Sequence, residues 1–133
     1  MIRYSEEKKI PAAALEALFS TVGWESSKYP ERLERAMPGF STVYSAWEGE
    51  KLVGLLAAMD DGEMTAYIHY LLVDTAFQGR GIGKALLSAA LERYRGYTRV
   101  VLHAEGNAEG FYRRFGFQPM DAVSMCRVPA EVE

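Results

Sequence analysis

The chain of 133 residues has one cysteine, Cys126. A single thiol excludes an intramolecular disulfide and any zinc site built on several cysteines, so no metal is expected. Charged or strongly polar residues interrupt every window, and no apolar stretch approaches the roughly 20 residues of a membrane helix. A charged-then-apolar leader with a small-residue cleavage site is also missing. Basic excess is absent too: the formal net charge is −3, whereas nucleic-acid binding usually shows a basic domain. No linker, repeat or low-complexity tract breaks the chain. The expectation is one cytoplasmic domain over residues 1–133, with neither a membrane nor a nucleic-acid partner. Its length allows one core that buries about two-thirds of the unfolded surface.

What is present alternates in period. Ile2-Arg3-Tyr4 reads as a short strand. Leu15, Leu18, Phe19 and Val22 recur at helical spacing behind Pro11, and Gly23 ends that helix. A second, short helix starts at Pro30 and stops before Pro38. Residues 42–58 form a hairpin turning at Glu48-Gly49-Glu50-Lys51. Residues 64–73, MTAYIHYLLV, make the longest strand candidate, and their continuous apolar end suggests burial on both faces. Ile82, Leu86, Leu87, Ala90, Leu91 and Tyr94 then keep helical spacing up to Gly96. A strand over 99–104, a short helix over 107–115 and a closing strand over 121–128 complete the order β-α-α-β-β-β-α-β-α-β.

Between the longest strand and the helix after it stands QGRGIGK, residues 78–84. Three glycines and two cations at a strand-to-helix junction suggest a phosphate site. A Walker A loop is excluded, because Gln78 stands where its first glycine belongs and Ala85 where its magnesium-holding hydroxyl belongs. The dinucleotide pattern fails at Lys84, where a third glycine is required. A plain glycine turn with solvated cations is the remaining simple alternative. Three glycines at alternate positions exceed what a turn needs.

The sequence resembles the GNAT superfamily of N-acetyltransferases, whose motif Gln/Arg-x-x-Gly-x-Gly/Ala is met by Gln78-Gly79-Arg80-Gly81-Ile82-Gly83. A second family element appears as Asn107, Phe111-Tyr112 and Gly116-Phe117. The likeness covers roughly residues 40–120; before that only the pattern of elements matches. It implies an α+β fold: a mixed, mostly antiparallel sheet with splayed parallel fourth and fifth strands, flanked by about four helices. It also implies acetyl-CoA as acetyl donor. Amides from Gly79 to Lys84, Ile82 and Gly83 among them, would meet the pyrophosphate at the positive end of the helix dipole, with charge from Arg80 and Lys84. Asn107 and Phe111 would border the same molecule. Unpaired backbone at Leu71, Leu72 and Val73 would take the pantetheine amides, and the Leu71 amide would face the thioester carbonyl.

The resemblance further implies that Tyr112 is the general acid. His69, in YIHYLLV, is similar in setting to a histidine of the arylalkylamine N-acetyltransferases that serves in proton removal. A neutral imidazole can accept a proton near pH 7. Tyr70, which a regular strand would point to the other face, and an ordered water stay open as alternatives, with His103 a weaker candidate. Over the acceptor end, Trp24 and Tyr29 can form a wall, with Glu25 or Asp60 pairing an ammonium; core packing explains the aromatics equally. The expected acceptor is a small primary amine, with an aromatic amine or a protein N-terminus also open, and a homodimer stays among the expectations. A non-catalytic acyl-CoA-binding domain of the same fold is the competing function.

Overall fold

The computed structural model describes residues 1–129. They form β1 (Ile2–Ser5), α1 (Ala12–Thr21), α2 (Pro30–Ala36), β2 (Thr42–Glu48), β3 (Lys51–Asp60), β4 (Thr65–Val73), α3 (Ile82–Arg93), β5 (Arg99–Leu102) and α4 (Glu109–Arg113). The chain divides into two compact units, Met1–His103 and the residues from Ala104 onward.

In the first unit five strands lie in the order β1-β2-β3-β4-β5. The first three pairings are antiparallel, and β4 and β5 are parallel. A parallel pair needs a crossover, and α3 provides it. One face carries α1 and α2, where Ile10, Leu15, Leu18, Phe19 and Met37 bury themselves against Val43, Leu55 and Leu72. Burying side chains of this size contributes about 1.5–3 kcal/mol each.

The other face carries α3. Its close approach is permitted by Gly54, where a Cβ would come within 2.8 Å of Ile82 Cγ2 and 3.1 Å of Leu86 Cδ1. A buried network fastens the far end of this helix: the Tyr94 hydroxyl donates to Asp60 Oδ2 at 2.9 Å and lies 2.7 Å from Thr42 Oγ1. Tyr97 donates to Asp60 Oδ1 at 3.2 Å. Asp60 thus accepts from two tyrosines at the end of α3.

The second unit contains α4, a single short helix. The expected closing strand over 121–128 is not formed; these residues are exposed and carry no strand. Alternating letters give a segment strand propensity, but a strand exists only where a partner accepts its ladder. The expected strand 99–104 and helix 107–115 are also shorter, at Arg99–Leu102 and Glu109–Arg113.

Candidate active site

The strand-to-helix loop is built to present backbone. Asp74, 3% exposed, accepts from the Ala76 amide at 2.8 Å and starts a 3₁₀ turn over Thr75–Phe77. Its other carboxylate oxygen lies 3.6 Å from Lys51 Nζ. Gln78 Nε2 donates to the Val73 carbonyl at 3.2 Å, a bond that closes the loop. Gly79 and Gly81 both adopt positive φ, 80° and 81°, a region that costs other residues dearly. A Cβ at either would meet nothing within 4 Å. The surface over the loop is open and bare.

The helix that follows begins without a side-chain cap. Its first intrahelical bond is Ala85 N–H to Gly81 O at 3.0 Å, which leaves the amides of Ile82, Gly83 and Lys84 without intrahelical acceptors. Three donors and the dipole's positive end therefore face outward, the arrangement a pyrophosphate needs. Arg80 lies over the Phe77 ring at 4.9 Å and meets Glu48 at 3.9 Å. With those side chains 50% and 44% exposed, the pair is solvent-screened and worth about 0–1 kcal/mol. A phosphate can compete for the guanidinium. Lys84 makes no ion pair among the described residues.

Upstream, β4 and β5 form a fork. Their register covers Thr65–Ile68 with Arg99–Leu102 and stops there, so residues 69–73 continue beyond the end of β5. The apolar end of β4 is therefore not buried on both faces as expected: Leu72 is 4% exposed, while Leu71 and Val73 are half-buried. Asp74 N–H donates to Val53 O on β3 at 2.9 Å. Strand alternation then turns Leu72 toward β3 as well, and Leu71 and Val73 toward the open side. Of the three expected pantetheine contacts, Leu72 has its backbone engaged by β3, and the Val73 carbonyl already accepts from Gln78. The Leu71 amide and carbonyl remain for a ligand strand.

A bulge decides which side chains meet at the fork. Ala57 pairs with Tyr70 and Ala58 with Ile68, so His69 is the extra residue on β4. A regular strand would send His69 and Tyr70 to opposite faces; the bulge brings both to the α1 and α2 face. Their rings lie 4.4 Å apart. His69 stacks on Phe40 at 5.9 Å, and its Nδ1 is 3.2 Å from the Tyr67 hydroxyl. Burial among these rings pushes its pKa below the ordinary imidazole value, and the charge of His103 pushes the same way. The side chain nevertheless retains access to solvent. It is a neutral base near pH 7. His103 stands just past the end of β5, exposed, with its ring 5.6 Å from that of Tyr67.

Tyr70 reaches across this face to Phe19 at 5.0 Å and Trp24 at 6.2 Å, and its hydroxyl lies 3.3 Å from Ser26 Oγ. Trp24 is thus a half-buried member of the aromatic core edge. Tyr29 is 49% exposed and borders an open cavity of about 540 Å³ together with Ser26, Tyr70, Arg32 and Arg35. Glu25 pairs with Lys28 at 3.3 Å, both exposed, and does not line that cavity. Sequence reasoning missed Phe40, Ser26 and the two arginines. Their only written signal was the i, i+3 spacing of Arg32 and Arg35 on one side of α2.

In the second unit, Asn107 lies exposed in the turn before α4. Tyr112 is flanked by Phe111 at 5.2 Å and Phe117 at 5.8 Å, both edge-on. Burial raises the pKa of its phenol, so it holds its proton at neutral pH and is a donor.

A family model described as an acetyltransferase (GNAT) domain matches residues 4–125. Serotonin N-acetyltransferase 2, chloroplastic, of Oryza sativa subsp. japonica is 29% identical over 114 residues, 81% of this chain and 56% of that protein. An uncharacterised N-acetyltransferase of Pyropia yezoensis is 29% identical over 122 residues, 87% of this chain and 70% of its own. The chain therefore spans little more than half the length of the rice relative. Among solved structures, a GNAT-family acetyltransferase from Streptococcus pneumoniae TIGR4 superposes with a TM-score of 0.82 at 29% identity, covering 98% of this chain and all of that one.

Proposed function

The chain belongs to the GNAT acetyltransferases, and from that premise we propose that it moves the acetyl group of acetyl-CoA to a primary amine by direct attack in a ternary complex. The observation that carries this reading is the pairing of an outward-facing amide cradle at Gly79–Lys84 with the unpaired Leu71 backbone at the open end of β4. Together they fit a ligand with a pyrophosphate at one end and peptide-like amides at the other. The donor supplies an acetyl group already activated as a thioester.

The chain's own groups supply the rest. An alkylammonium of pKa about 10.4 must lose its proton before attack, at a cost near pH 7 of roughly 4.6 kcal/mol. His69 accepts that proton, directly or through a water. The Leu71 amide donates to the carbonyl oxygen and stabilises the charge that builds there. Tyr112 gives its proton to the departing thiolate, in keeping with its place in the Asn107–Phe117 motif. The rice relative is named for serotonin, which supports an amine acceptor. Among the described residues no helix is long and apolar enough to cross a membrane.

Release of free thiol from acetyl-CoA, measured with a panel of primary amines, tests the proposal. Amine-dependent release with stoichiometric acetylated product is the expected result. Tight acetyl-CoA binding with no release for any amine would leave a binding domain of the same fold instead.

A further inference from the structure

We infer that the cavity beside Tyr70 recognises a carboxylate or phosphate on the end of the acceptor remote from its amine, through Arg32 and Arg35. The inference rests on the proposed amine acetylation for its assignment of the cavity to the acceptor.

Arg32 and Arg35 stand one turn apart on α2, and among the described residues they are the only charged ones that line the cavity. The carboxylates interleaved with them, Glu31 and Glu34, do not line it. Neither guanidinium has an ion-pair partner among the described residues. Arg32 lies 5.9 Å from the centre of the Tyr29 ring, a cation–π contact that holds the group without neutralising it. A chain with a net charge of −3 thus carries a local double positive charge where it has an opening. Ser26, Tyr29 and Tyr70 add hydroxyls along the wall. A planar guanidinium with hydroxyls beside it suits an oxyanion, which it can bind through two parallel hydrogen bonds.

Orientation follows from charge. Two guanidinium groups repel an ammonium, so the amine of a bound acceptor lies at the opposite end of the cavity. Tyr70 also lines the cavity, and its ring is 4.4 Å from the His69 imidazole. An amine held away from the arginines and beside Tyr70 stands near the base, and amines that lack an anion are selected against. A volume of about 540 Å³ falls within the range of small-molecule sites.

Two measurements test this independently of each other. In the first, the arginine Nε–Hε resonances are followed by NMR while butyl phosphate or butyrate is added. Saturable shifts of the Arg32 and Arg35 signals are expected, and the stronger of the two ligands tells phosphate from carboxylate. Absence of saturable shifts with both overturns the inference, whether or not the protein acetylates anything. In the second, ω-amino carboxylates of three to six carbons and phosphoethanolamine are compared as acceptors with alkylamines of matching length. The best anionic acceptor should exceed its neutral counterpart in kcat/KM by about tenfold, the size of one charge-assisted contact. Arg32→Gln and Arg35→Gln should each reduce that ratio by a similar factor. Equal or better use of neutral amines refutes the anion reading while upholding the acetyltransferase. Failure of every amine, with the NMR shifts intact, refutes the acetyltransferase and leaves the anion site.

Discussion

Residues 74–84 and residues 24–36 border the same sheet, yet they offer a ligand different things. The first stretch presents bare backbone: amides with no intrahelical acceptor at the start of α3, glycines at positive φ, and an Asp74 that is buried to shape the turn. The second presents side chains: Tyr29, Arg32 and Arg35 line an open cavity together with Tyr70. Backbone recognition suits a ligand that never changes, because it depends on chain geometry rather than on any one functional group. Side-chain recognition can be retuned by single substitutions. A donor shared by a whole family and an acceptor that differs among its members would be divided in this way.

Placing a carboxylate in the glycine loop should break the backbone half outright. Gly81→Asp sets a negative charge at the positive end of α3, and at φ 81° it also strains the turn. Acetyl-CoA at 100 times its dissociation constant should stabilise the native protein by about 2.7 kcal/mol, and the variant should lose all of that. The quantity to measure is the ligand-induced change in Tm, which separates lost binding from lost stability. A full shift in the variant would move the donor site elsewhere.

Tyr112→Phe asks whether a side chain completes the chemistry on the donor's leaving sulfur. The ring remains and the proton donor goes, so turnover should fall by about 10²-fold with little change in the KM for acetyl-CoA. Unaltered turnover would reduce Tyr112 to a neighbour of Phe111 and Phe117.

His69 sharpens the other half, and the sign of its pH dependence is fixed by the causes of its shift. The imidazole accepts a proton only when neutral, so kcat/KM should be high above its pKa and fall as pH drops through it. Burial and the charge of His103 both lower that pKa, so the acidic limb should lie below about 6.5. His69→Gln should abolish the limb and lower the neutral-pH rate by about tenfold. His103→Gln removes one of the two causes and should move the limb upward. Two amines of different basicity must be compared, because a limb that follows the amine and survives in His69→Gln would pass the role to an ordered water.

The same division explains what could be read in the letters. Gly79 and Gly81 were legible as loop glycines because their positive φ is a conformation other residues rarely adopt. The parallel pairing of β4 with β5 was legible too, since the helix between them requires it. The bulge at His69 was not, because it is a property of register: it arises where Ala57 and Ala58 face Tyr70 and Ile68, and nothing in YIHYLLV marks the extra residue. Glu31-Arg32-Leu33-Glu34-Arg35 reads as an ordinary solvated helix face whose charges could cancel. Only the folded chain shows that the arginines border an opening and the glutamates do not.

The smallest expected effect tests whether the donor half is purely backbone. Arg80 sits within the glycine loop, but Glu48 holds its guanidinium at 3.9 Å, so the charge available to a phosphate is partly spoken for. Glu48→Gln keeps the shape of the residue and releases the arginine. A half-exposed pair contributes about 0–1 kcal/mol, so the dissociation constant of acetyl-CoA should fall by roughly two- to threefold at low ionic strength, and the gain should shrink as salt rises. Arg80→Gln should weaken binding by a similar factor. In the double variant the Glu48 substitution should add nothing, because its effect runs through Arg80. If Glu48→Gln tightens binding equally with or without Arg80, the gain comes from removing a general negative charge near the loop. If neither variant changes affinity, the loop binds through its amides alone and the division between backbone and side-chain recognition is complete.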